Sequence, residues 1–345
     1  MRGVVIHGPR DLRIEEVAAG PLGPRDVQVR IEAGGICGSD LHYYHHGGFG
    51  TVRLREPMAL GHEVAGVVEA VGSEVSTVTA GTRVAVDPSR PCGTCRYCRA
   101  GQGNQCLDMR FMGSAMRFPH VQGGFRQSIT IDEGQAVAVP PAMTMAEAAM
   151  AEPLAVCLHA ARQAGPLMGA RVLVTGCGPI GSLAVLVARF SGASEIVATD
   201  VAAHPLAVAR RLGATRTIDV AAEPEGLAPF GAEKGTFDVL FEASGNAAAL
   251  RGALEVLRPG AVIVQVGLGG EMTLPMNLIV AKELQVRGSF RFDREFRLAV
   301  DLIGRGLVDV KPLLTETVPF EQAAEAFALA SDRSRAMKVQ LSFGS

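Results

Sequence analysis

Three glycines in the stretch Gly176-Cys177-Gly178-Pro179-Ile180-Gly181 constrain this chain more than any other feature. They follow an apolar run, Arg171-Val-Leu-Val-Thr175, that reads as a buried strand, and they open Pro179–Phe190, which has helical character. A strand that turns on glycine directly into a helix is the start of a βαβ unit built to hold a dinucleotide. Gly176 suits the tight turn, Gly178 leaves the backbone open to a pyrophosphate, and Gly181 lets the helix pack closely on the sheet. Pro179 fits the first helical turn, where its missing N–H costs nothing, and the helix N-terminus it opens, with Ile180 next, offers free N–H groups to phosphate. Asp200 ends the next strand, Glu195-Ile-Val-Ala-Thr199. A carboxylate there accepts hydrogen bonds from a ribose 2′-OH and repels a 2′-phosphate, which favours NAD over NADP. His204 lies four residues on and complicates that preference. The plain alternative is an ordinary glycine turn with a capping aspartate, and Cys177 inside it reads as a small packed side chain.

The rest of the chain falls around this unit. At 345 residues it has room for roughly two domains. The first third reads as short strands, Val4–Ile6, Val27–Ile31, Val64–Val71 and Arg83–Val86, separated by Gly and Pro, and predicts a compact antiparallel or barrel-like unit. From about Ala148, alanine-rich helical stretches alternate with strands, among them Phe237–Phe241, Ala261–Val266 and Leu284–Arg287. That alternation predicts a parallel sheet with right-handed crossovers. The closing run Lys338–Phe343 is strand-like and is expected to rejoin the first unit.

Four of the seven cysteines crowd into Cys92-x2-Cys95-x2-Cys98-x7-Cys106. Four thiolates on one loop can close a tetrahedron around a structural zinc, a site with no open position and so no chemistry of its own. Two adjacent disulfides are the rival; Met1 to Glu16 shows no signal-peptide core, and the reducing cytoplasm this implies favours metal. A looser cluster combines Cys37, His62 and Glu63. Three mixed ligands would leave a fourth position for water or substrate, as catalysis by zinc requires. Taken singly, each has a bland reading as core filler, packed histidine or surface acid.

Together, Gly35-Ile-Cys37-Gly-Ser39-Asp40-Leu-His42-Tyr43, Leu60-Gly-His62-Glu63, the four-cysteine lobe and the glycine loop resemble the zinc-dependent medium-chain dehydrogenases, and within them the polyol dehydrogenase branch. Longer strings, Asn104 to Val121, Ala151-Glu152-Pro-Leu-Ala-Val and Gly288-Ser-Phe290-Arg291-Phe292, resemble a member of that branch acting on a sugar acid. The resemblance implies an α/β chain in which a GroES-like, β-rich catalytic domain (1–150 and 288–345) carries an inserted Rossmann domain (151–287). It implies one catalytic and one structural zinc per subunit, with Cys37, His62 and Glu63 matching the catalytic ligands. Glu152 matches a second acid near that metal, and which glutamate binds at a given step stays open. Ser39 and His42 fit the family's proton relay, although Ser39 also reads as a helix cap and Asp40 as another. Tyr43, Phe111, Arg291 and Phe292 fall where polyol contacts lie. Arg291 could grip a substrate carboxylate bidentately, or be a surface ion-pair residue. His45, His46 and His120 carry no assigned role and default to loop or surface positions.

The implied chemistry is hydride transfer from a secondary alcohol to nicotinamide, with zinc stabilising the deprotonated oxygen. The partner is then a small polyol or aldonate. Charge supports this by exclusion, since 33 Lys and Arg against 35 Asp and Glu argue against nucleic acid or an anionic membrane as the partner. No apolar run approaches the ~18–20 residues that span a bilayer. A homotetramer or homodimer is expected from the resemblance alone. Alternatives are a sorbitol, xylitol or L-threonine-type dehydrogenase, and, from a different class, a non-catalytic zinc-stapled NAD-binding sensor.

Overall fold

The computed structural model describes residues 1–18 and 20–344. Strands Arg171–Thr175, Glu195–Asp200, Phe237–Glu242 and Leu257–Gln265 are apolar at their centres and buried on both faces, the pattern of a parallel sheet covered by helices. With Arg216–Asp219 and Gln285–Gly288 at the edges they form a six-stranded parallel sheet. Counted along the chain, the order is 3-2-1-4-5-6. It reverses direction beside Arg171–Thr175, so the crevice at that strand's carboxyl end is where a ligand sits in such sheets. The helix Pro179–Phe190 follows that strand with the bounds its sequence predicts. Edge strand Arg216–Asp219 escaped the sequence reading because only Ile218 in it is buried.

Strands Val4–Ile6, Val27–Ile31, Val64–Val71 and Arg83–Val86 all form, most of them longer than predicted. The last three belong to a seven-stranded sheet of mostly antiparallel pairs. Lys338–Ser342 enters this sheet beside Asp26–Gly35, pairing Gln340 with Gly35, and so rejoins the first unit as expected. Leu314–Pro319 pairs with it in parallel, through a crossover containing helix Ala323–Ser331, which alternation alone did not suggest.

Between the sheets runs the helix Ala151–Ala164, whose Leu154, Ala155 and Leu158 share one apolar core with Leu183 of the following helix and Phe296 and Ala299 of helix Glu295–Gly304. Glu295 fastens that junction. Its carboxylate is 1% exposed, meets Arg162, lies 3.3 Å from His159 Nδ1, and accepts the Asp293 N–H at 2.8 Å. Burial opposes its ionisation, but contacts with His159, the Asp293 amide and Arg162 outweigh it and hold its pKa at about 2.

A carboxyl depressed on folding stabilises the fold above its unfolded pKa and loses that contribution as pH falls toward the folded value. At pH 7, Glu295→Gln is therefore expected to be less stable than wild type by about 2–3 kcal/mol. In urea titrations followed by circular dichroism the gap should close between about pH 5 and pH 2; a gap independent of pH would show that the charge is not what matters.

Candidate active site

Cys37 ends the loop after strand Asp26–Gly35 and caps the helix Gly38–His46. The Asp40 carboxylate closes the capping box, accepting the Cys37 N–H at 3.0 Å, and its other oxygen accepts the Gly61 N–H at 3.1 Å. One fully buried acid thus ties the loop carrying Cys37 to the loop carrying His62. Gly61 is required there, because its φ of +91° is left-handed and a Cβ would enter the Phe125 ring. Glu63 begins the next strand and lies over Gly35, where any side chain would fall on its carboxylate.

Ligand atoms of Cys37, His62 and Glu63 lie within 4.8 Å of one another. His62 is 5% exposed; its Nδ1 is buried without a hydrogen-bond partner, 3.9 Å from the Asp40 carboxylate. Glu152, at the start of helix Ala151–Ala164, is buried beside this group. Burial, then the charge of Glu63, pushes the Cys37 thiol up to about 11. Burial also takes Glu152 to about 8, with His62 opposing and Glu63 and Cys37 reinforcing the rise. Without more positive charge the pocket therefore resists full ionisation. A divalent cation between thiolate, imidazole and carboxylate reverses that balance, so the donor set fits zinc. One positive group is built in: Lys338, 2% exposed, donates to both Glu63 oxygens at 2.7 and 2.8 Å and to the Ile36 carbonyl at 3.1 Å. The sequence reading missed Lys338; its only signal was a charged residue opening an apolar strand.

Four sulfurs meet in the loop after strand Ser89–Arg90. Cys92–Cys98, Cys95–Cys98 and Cys95–Cys106 are separated by 4.0, 3.5 and 4.0 Å. A disulfide needs about 2.05 Å. A zinc tetrahedron with bonds of about 2.3 Å has edges of roughly 3.8 Å. The spacing decides for metal. Backbone N–H groups of Cys92, Cys95 and Asp108 point at these sulfurs, and the Thr94 amide and hydroxyl lower Cys92 to about 6.

The glycine loop forms at the switch point. Gly176 has φ +82° with Ser244 2.7 Å from its would-be Cβ; the space over Gly178 is open to 4 Å, and a Cβ on Gly181 would strike the Gly176 carbonyl. Pro179 and Ile180 begin the helix. Asp200 accepts the Cys177 N–H at 2.7 Å and those of Val201 and Ala202 at 2.7 and 3.1 Å. Cys177 is fully buried, as a packed side chain should be.

Several expectations need correction. Ser39 is not the helix cap; Cys37 is, and Ser39 occupies the second helical position. Tyr43 is 1% exposed and packs edge-on against Phe49, and its hydroxyl accepts the Ala115 N–H at 2.9 Å, so it is core rather than a substrate contact. Phe292 is equally buried, 5.7 Å from the Phe296 ring. His120 is buried too, its Nδ1 2.7 Å from the Arg117 carbonyl and its Nε2 accepting the Arg55 N–H at 2.9 Å. Phe111 and Arg291 do line a cavity of about 180 Å³, along with Met116, Ser114 and Cys106. The Phe111 ring stands 5.5 Å from that of His62, and the Arg291 guanidinium lies over it at 3.9 Å.

Residues 23–141 match the family described as alcohol dehydrogenase GroES-like domain, and residues 179–305 match zinc-binding dehydrogenase. The chain is 46% identical over 318 residues, 91% of both chains, to an Escherichia coli K12 protein named L-idonate 5-dehydrogenase (NAD(P)(+)). It is 35% identical to the sorbitol dehydrogenase of Bacillus subtilis 168, over 94% of this chain and 92% of that one. The crystal structure of L-idonate 5-dehydrogenase from Escherichia coli superposes with a TM-score of 0.93 at 43% identity, covering 99% of this chain and 97% of the other. The chain therefore belongs to the zinc-dependent polyol dehydrogenases: a GroES-like and Rossmann-type enzyme using zinc and NAD(P). Membership sets aside the non-catalytic sensor.

Asp40→Ala unties the two ligand loops while leaving the cysteine lobe alone. It should weaken metal retention at Cys37 and His62 about 10–100-fold. Elemental analysis after graded chelation should then show one ion lost early and one retained; equal loss of both would contradict the role given to Asp40.

Proposed function

We propose that this enzyme oxidises L-idonate to 5-keto-D-gluconate, and reduces it in reverse, with NAD as the preferred coenzyme. The observation that carries the substrate is Arg291. Its guanidinium lines the cavity beside Phe111, whose ring stands 5.5 Å from that of His62, yet its one hydrogen-bond contact among the described residues is the Met116 sulfur at 3.1 Å. Burial lowers its pKa only to about 10, so it stays charged, an unclaimed fork of donors for a carboxylate. The similarity to a relative named for L-idonate supports the same choice.

Cys37, His62 and a glutamate, Glu63 or Glu152, would hold zinc, which supplies Lewis acidity toward the substrate oxygen while the nicotinamide accepts the hydride. The chain's own groups handle the proton. Ser39 sits half-buried at the head of the helix and His42, one turn on, is exposed. Burial, then neighbouring His46 and His45, lowers the His42 pKa, which keeps the ring neutral and able to take a proton outward. Lys338, donating to both Glu63 oxygens, fixes that carboxyl near Cys37. Gly176, Gly178, Pro179, Ile180 and Gly181 receive the coenzyme pyrophosphate, and Asp200, already engaged by three N–H groups, turns its remaining acceptor capacity to the ribose. No helix among the described residues is long and apolar enough to cross a membrane. The unpaired thiols of all seven cysteines support a cytoplasmic setting, and exposed Leu107, Met116 and Phe118 beside the cysteine lobe support a homotetramer or homodimer.

Initial rates on L-idonate, sorbitol, xylitol and L-threonine, with NAD and NADP in turn, test the reading; higher kcat/KM on the uncharged polyols would overturn the substrate. Arg291→Met should raise KM for L-idonate about 30–100-fold, the loss of about 2–3 kcal/mol from a charge-assisted contact, with uncharged polyols little affected. Cys37→Ser should abolish turnover and leave NAD binding, measured by fluorescence titration, near normal.

A further inference from the structure

Arg291 is one of few non-glycine residues with left-handed backbone, at φ +54°, and nothing in its own side chain favours that conformation. The neighbouring groups that hold it come from the cysteine lobe. Asn104, in the turn Gly103–Gln105 between Cys98 and Cys106, is 8% exposed. Its Nδ2 donates to the Phe290 carbonyl, the group immediately before Arg291, at 2.9 Å. The same amide lies 3.5 Å from His159 Nε2, which also faces the Gln163 amide at 3.3 Å. Two amide donors on Nε2 leave the proton on Nδ1, on the side of Glu295. Gly103 packs so closely that a Cβ would come within 2.5 Å of Asp293 Oδ1. On the far side of Arg291 its guanidinium rests on Phe111, five residues past Cys106, and on Phe290 at 4.9 Å.

We propose that Asn104 is a positioning residue for Arg291: the four-cysteine loop, through the Asn104 amide on the Phe290 carbonyl, fixes the backbone turn that aims the guanidinium into the substrate cavity. The lobe is then part of the specificity apparatus as well as a staple. The proposal rests on the reading that Arg291 meets the substrate carboxylate, and the test separates the two.

Asn104→Leu keeps the branched shape and removes the donor. KM for L-idonate should rise about 5–20-fold with kcat within 2-fold, and kcat/KM for sorbitol should stay within 2-fold. In an Arg291→Met background the same substitution should have no further effect on L-idonate, because its whole influence passes through the guanidinium. Equal losses on L-idonate and sorbitol, or additive losses in the double variant, would mark a general structural defect and overturn the proposal. A crystal structure of Asn104→Leu gives an independent readout: φ of residue 291 should leave the left-handed region and the guanidinium should leave Phe111, and an unmoved Arg291 overturns the proposal. If the arginine moves but Arg291→Met leaves KM for L-idonate unchanged, positioning stands and the carboxylate reading fails. Should Asn104→Leu lose the lobe's metal, the smaller Asn104→Ser, which cannot reach Phe290, carries the same measurements.

Discussion

Placing a thiol and two carboxyls together out of water is costly unless positive charge is buried with them. That constraint shapes the catalytic half of this molecule. Cys37, Glu63 and Glu152 come from three separate stretches of chain and meet where water is largely excluded. Lys338 answers one acid permanently, and the cation site answers the rest. Around this, hydrogen bonds do the holding: Asp40 spends its carboxylate on two backbone amides of the ligand loops. The acid is therefore a brace, and the imidazole beside it keeps a free edge for metal.

What the sequence disclosed and what it hid divide along range of interaction. The glycine loop, the four-cysteine loop and the strands of the parallel sheet are local patterns, and the structure forms them nearly where the residues say. Cys37 and His62 could be paired only through the resemblance, because nothing in the 24 intervening positions states that the loops touch. Lys338 lies 275 residues from Glu63, and Asn104 lies 186 from Phe290. A strand-like lysine and a loop asparagine look the same whether they face solvent or a buried partner. Tyr43 and Phe292 failed for the converse reason: they sit in motifs resembling substrate contacts, and their rings turn into the core instead.

The two metal-type centres are usually thought of separately, one for chemistry and one for shape. Here a single aromatic ring lies near both, 5.5 Å from the His62 ring and lining one cavity with Cys106. Phe111 follows the cysteine loop, neighbours the His62 ring and carries the Arg291 guanidinium. Displacing the loop would move a wall of the cavity that Phe111 and Arg291 line.

The Lys338–Glu63 pair also sets a timetable for the nascent polypeptide. The segment bearing Cys37, His62 and Glu63 emerges early, and its buried counter-charge is made 275 residues later. At translation speeds of about 5–20 residues per second, that is a wait of roughly 15–55 s. Throughout it the amino-terminal sheet lacks its neighbour Lys338–Ser342 and presents the edge of Asp26–Gly35 unpaired over Ala33–Gly35. A half-made chain is thus both unable to react and open to wrong partners, and the arrival of Lys338–Ser342 ends both conditions at once.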